Sequence, residues 1–139
     1  MVSKKVGNDI LIRIDKGEKL VDSVLGVAGE YGVNAATITG LGACSQADLR
    51  VFSVKDAAYI DKCFTGAFEI TNITGFIGRL EGKPHGHIHM TVADESYQCV
   101  GGHLKECVIS VTCEILMHVM DTEIGRAMNP EIGIYEMQL

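Results

Sequence analysis

Polar and apolar positions alternate along much of this chain. Between Asn8 and Asp15, Ile10, Ile12 and Ile14 fall on one side and Leu11 and Arg13 on the other, the period of a strand with one buried face. From Glu18 to Tyr31 the period changes: Leu20, Val21, Val24, Leu25, Ala28 and Tyr31 recur at steps of three and four, which predicts an amphipathic helix stopped by Gly32. Ala35 to Thr39 reads as a buried strand ending at Gly40-Leu41-Gly42, and Ala47 to Val54 alternates through Leu49, Val51 and Ser53. A short strand at Tyr59 to Phe64, an alternating run from Phe68 to Thr74 and a continuation from Phe76 to Leu80 form a hairpin-like series. The turn Glu81-Gly82-Lys83-Pro84 leads into a strand from His85 to Val92, closed by the turn Asp94-Glu95-Ser96. Cys107 to Met120 is rich in β-branched residues and long for one strand, and Gly133 to Leu139 closes the sheet.

One long helix among so many strands excludes a doubly wound α/β architecture. The expected class is α+β: a mainly antiparallel β-sheet of about seven or eight strands with one long helix and room for one or two short flanking helices. A length of 139 residues gives space for one sizeable core, so residues 1–139 are read as one domain. Apolar residues at 47% and charged residues at 22% exclude a disordered or collagen-like chain. Twelve Lys and Arg against 18 Asp and Glu leave a formal charge of −6, which disfavours gripping nucleic acid through its phosphates. The N-terminal apolar run is too short and too polar for a signal peptide, and no stretch approaches the roughly 20 apolar residues of a membrane span. The five cysteines include no Cys-x-x-Cys pair and read as reduced core thiols of a cytosolic protein. A soluble cytoplasmic protein, with no membrane contact, is expected.

The chemistry concentrates between positions 85 and 103, where four of the five histidines lie. Residues two apart in a strand share a face, so His87 and His89 point the same way while Ile88 and Met90 face the core. A bare His-x-His fits equally an ordinary pair on a solvated face. His103 follows Gly101-Gly102, whose permissive backbone can turn sharply and return a third imidazole to the first two. Three neutral imidazoles with an open fourth position are the donor set of catalytic zinc, whereas structural zinc adds cysteine. His85, beside Pro84 and Gly86, is read as a turn residue, and His118 as a satisfied core histidine.

Glu69 and Glu114 are the carboxylates within apolar strands that could serve as general base or as partner of a histidine, although an outward-facing polar residue explains either one as well. Arg79 and Arg126 could bind an anion, but their spacing does not separate them from surface arginines. Gly40-Leu41-Gly42 lacks the third glycine and the following helix of a dinucleotide fingerprint.

Five segments in order, ITGLGA at 38–43, GAFEITNITGFI at 66–77, PHGHIHMTVAD at 84–94, GGHL at 101–104 and VTCEILM at 111–117, resemble the PPC domain, the plants-and-prokaryotes conserved domain. In plants that domain follows AT-hooks in nuclear proteins, and in bacteria and archaea it stands alone. The resemblance implies a homotrimer and a metal ion, zinc or another divalent transition metal, on His87, His89 and His103. Plant domains contact partner proteins through a Gly-Arg-Phe-Glu-Ile segment, where this chain has Ala67 in place of the arginine. There is no Arg-Gly-Arg-Pro run, so the DNA-binding label often given to the family has no physical carrier here. The expected function is a stand-alone metal-binding protein with a binding or regulatory role toward small molecules or proteins. The alternative is a metal-dependent hydrolase or lyase acting on a small polar substrate through water on the ion.

Overall fold

The computed structural model describes residues 1–138. Its strands are β1 (Val2–Val6), β2 (Asp9–Asp15), β3 (Ala36–Ser53), β4 (Ala58–Leu80), β5 (Lys83–Ala93), β6 (Cys99–Val119), β7 (Gly125–Asn129) and β8 (Ile134–Gln138), with one helix, α1 (Leu20–Glu30). The α+β class with a mainly antiparallel sheet holds, and α1 is the one helix among the described residues. The strands run in the order β1-β2-β6-β3-β4-β7-β8, while β5 joins β4 to β6. Because β3 pairs with both β4 and β6, and β5 pairs with both as well, these four strands close in a cycle.

Several separately expected strands are single long ones. The run through Gly40-Leu41-Gly42 belongs to β3, and the hairpin-like series from Tyr59 to Leu80 is the one strand β4. Glycines with the look of turns lie inside a strand instead. Gly40 and Gly42 stay in the strand because β6 crosses so closely: a Cβ at Gly40 would lie 2.7 Å from the Glu114 carbonyl oxygen. Register shifts at Gly40/Gly42 and Cys44/Gln46 bend β3, so that one strand serves two parts of the sheet. β1 and β7 were not anticipated, and the last strand is Ile134–Gln138, with Leu139 outside the described residues.

The alternation fixes which face is buried. Ile10, Ile12 and Ile14 of β2, Ile73 and Ile77 of β4, Ile88 and Met90 of β5, and Ile115 and Met117 of β6 are all within the core. Cys44, Cys107 and Cys113 are buried with them, whereas Cys63 and Cys99 are exposed and are no core thiols. Leu20, Val24, Val27 and Ala28 of α1 complete it, the Leu and Val side chains each contributing about 1.5–3 kcal/mol by leaving water. Lys19 at the helix start makes no side-chain cap. Instead the Glu106 carboxylate of β6 accepts from the amides of Val21 at 2.8 Å and Asp22 at 3.3 Å, fastening the helix N-terminus to the sheet. At the other end Val33 donates to the Ala28 carbonyl, with Gly32 in the left-handed region at φ +63°.

Candidate metal centre

β5 carries the site because its two faces have opposite tasks. Ile88 and Met90 point inward at 1% exposure each, which obliges His87 and His89 to face outward. Pairing then delivers the third imidazole: His103 of β6 lies directly opposite His89 across the β5–β6 ladder. Gly101 and Gly102 achieve this by packing, since neither adopts a positive φ and both lie within β6. A Cβ on Gly102 would sit 2.8 Å from the Arg50 carbonyl oxygen, and one on Gly101 would sit 2.9 Å from the Thr91 hydroxyl. Glycine lets β6 approach β3 and β5 closely, rather than turning the chain as the sequence suggested.

The three rings stand 5.1 Å (His87–His89), 5.2 Å (His87–His103) and 5.5 Å (His89–His103) apart between centroids. One ring nitrogen from each lies within 4.8 Å of the others, so the group could hold a metal ion. Two observations test the fit. His87 Nε2 and His89 Nε2 are 3.2 Å apart, close to the roughly 3.3 Å edge of a tetrahedron with Zn–N bonds of about 2.0–2.1 Å. His103 Nδ1 is buried without a hydrogen-bond partner among the described residues, as suits a lone pair reserved for an ion. Burial, with further lowering by neighbouring histidines and Arg50, pushes His103 down to about 4. Burial and the nearby Arg126 also lower His87, so both rings favour the neutral, metal-binding form.

The imidazoles open into a cavity of about 590 Å³ whose walls include Arg50, Tyr59, His85, Arg126 and Tyr135. His85 belongs here as a residue of β5, not of a turn. Burial and Arg126 lower its pKa as well. Arg126, on the β7–β8 hairpin folded over the site, brings Nη1 to 3.4 Å from His87 Nδ1. Desolvation pulls this guanidinium below its usual range. Arg50 stacks over Tyr59, its guanidinium carbon 4.7 Å from the ring centroid, and pairs with Asp61 at 3.0 Å.

Neither carboxylate candidate reaches the imidazoles within one chain. Glu69 pairs with Ala93, four residues along β5 from His89 and so about 13 Å away. Glu114 pairs with Leu41 on a different part of β6. His118 is no core residue: its side chain is 56% exposed and Nδ1 lies 2.7 Å from Asp9 Oδ1. Arg79 donates to Asn34 Oδ1 at 3.0 Å, away from the site. Arg50 and Tyr59 escaped the sequence reading because their alternation marks them only as outward-facing. Their nearness to His103 follows from the β3–β4 and β3–β6 registers, in which Arg50 pairs with both Asp61 and His103.

The Plants and Prokaryotes Conserved (PCC) domain model matches residues 1–121. Among solved structures, one from Bacteroides thetaiotaomicron described as a candidate DNA-binding protein superposes with a TM-score of 0.95 at 30% identity, covering 99% of this chain and 96% of that one. A second of the same description, from Ralstonia eutropha, gives 0.92 at 28% identity over 99% and 95%. A metal-containing protein from Archaeoglobus fulgidus shares the fold, with a TM-score of 0.88 at 24% identity over 100% and 99%. No curated protein matches the chain at significant similarity.

Proposed function

The chain belongs to the Plants and Prokaryotes Conserved domain family, and from that premise we propose that it is a homotrimeric zinc protein that binds a small molecule beside the ion, in a regulatory or binding role. The carrying observation is the convergence of His87, His89 and His103 on one point at the mouth of a cavity. The metal-containing neighbour from Archaeoglobus fulgidus agrees with this reading. Imidazole donors suit zinc among divalent ions, although copper and nickel compete for such sites by affinity. Titration with cobalt(II) tests it: one equivalent per chain should produce the strong visible absorption of a tetrahedral site, and a titration without that absorption would contradict it.

The trimer is supported by an apolar outer face. Val2, Leu11, Leu41 and Leu116, between 37% and 58% exposed, line a groove of about 790 Å³ on the side of the sheet opposite the core. Leu11 pairs with Leu116, so β2 and β6 present one continuous patch. Monomeric proteins seldom leave such a patch in water, and closed symmetry would cover it. Leu41→Glu should convert trimers to monomers or aggregates by light scattering; an unchanged trimer would remove this face from the interface.

A second reading, a metal-dependent enzyme, is favoured by one observation: only three side chains among the described residues converge on the ion position, which leaves a ligand position facing the cavity. There zinc would act as a Lewis acid. This chain's own contribution would come from Arg126, which would orient an anionic substrate. Tyr59 and His85 line the same cavity, a place that Glu69 and Glu114 do not occupy. Direct DNA binding, the description carried by two neighbours, is not proposed, because the net charge of −6 opposes it.

A further inference from the structure

Beyond the ion itself, we infer that the cavity takes a small organic carboxylate with an apolar body, its carboxylate seated on Arg126 beside His87. The inference rests on the metal reading of His87, His89 and His103. With Nε2 of His87 turned toward the ion, the neutral ring carries its proton on Nδ1. Metal-bound histidines ordinarily donate that proton to a carboxylate, a carbonyl or water. His87 Nδ1 instead meets Arg126 Nη1 at 3.4 Å, and a guanidinium can only donate. Two donors therefore face each other with no acceptor among the described residues.

Arg126 and Arg50 line the same space; the Nε of each is sealed within the protein without a partner among the described residues, so the Nη nitrogens are the ones that can meet a ligand. Arg50 already pairs with Asp61 at 3.0 Å, a carboxylate it shares with Lys105 at 2.8 Å, whereas Arg126 has no carboxylate partner among the described residues and is the free anchor. Glu136 lines the adjoining groove with Arg126, yet the two form no ion pair among the described residues. One carboxylate reaching Arg126 Nη1 and His87 Nδ1 together would supply the acceptor that both lack, and the planar guanidinium suits its geometry.

The apolar body follows from the other walls. Val51, Phe52, Met128, Ile134 and Tyr135 supply an apolar wall to the cavity of about 590 Å³. A compact inorganic anion would occupy the Arg126 corner and leave these side chains wet, whereas an organic acid would cover them. Arg126 and Tyr135 lie beyond residues 1–121, so this half of the site belongs to the C-terminal hairpin rather than to the segment matched by the family model.

The test is calorimetric titration of the zinc-loaded full chain with benzoate, using benzamide as the neutral isostere and inorganic phosphate as the compact anion, with zinc per chain measured in every sample. Benzoate should bind at least about tenfold more tightly than either control. Arg126→Gln should lose at least about tenfold in benzoate affinity with its zinc content unchanged, and Arg126→Lys, which keeps charge but not the fork, should fall between. Zinc-loaded wild type that ignores benzoate, binds it no better than the controls, or binds it as well as Arg126→Gln does overturns the carboxylate site and leaves the metal reading standing. A wild type that holds no zinc overturns the metal reading and this inference with it.

Discussion

His89→Ala should lower zinc affinity about 10²–10³-fold while leaving the folded chain nearly as stable as before. Structural zinc binding of about 10–16 kcal/mol spread over four ligands gives roughly 2.5–4 kcal/mol for each, and loss of one donor removes that share. His89 is the ring to remove because it joins the other two, with Nε2 at 3.2 Å from His87 Nε2 and its backbone paired with His103. Its side chain is exposed and packs into no core, so truncation should change unfolding free energy by only about 0.5 kcal/mol. Competition against a chromophoric chelator measures the first quantity and urea denaturation of the metal-free protein the second. Retained affinity would show that the ion, if any, sits elsewhere.

Ile88→Ala, one position away, should do the opposite. Ile88 is 1% exposed and packs in the core beneath the site, so its truncation should cost about 2–5 kcal/mol through lost transfer energy and the cavity left behind. That is a large part of the roughly 5–15 kcal/mol that holds a typical domain together. Ile88→Val should cost only about 0.5–1.5 kcal/mol. The contrast between neighbouring positions tests the two-faced reading of β5: Ile88→Ala with unchanged urea stability would mean that the inward face is misassigned.

That reading was available from alternation alone. Ile88 and Met90 against His87 and His89 differ in polarity at a period of two, and burial enforces the register once one face is apolar. The helix was equally plain, since its apolar residues recur at helical spacing and Gly32 ends it. What stayed hidden depends on pairing between distant segments. Glycines at 40, 42, 101 and 102 signal turns locally, but here they admit a neighbouring backbone, a demand visible only once β3, β5 and β6 are side by side. For the same reason Arg50 and Arg126 look like ordinary surface arginines in sequence. They become wall residues of the site when register puts Arg50 opposite His103 and the terminal hairpin lays Arg126 against His87. His118 was misjudged in the other direction: its apolar neighbours suggested the core, but alternation in β6 turns it outward to Asp9.

Native mass spectrometry of tag-free wild-type protein, equilibrated with zinc and then dialysed, tests the central claim most directly because it counts chains and ions in one particle. The account predicts a trimer carrying one zinc per chain. A protein that emerges free of metal would contradict it, returning His87, His89 and His103 to ordinary residues on the outer face of the sheet.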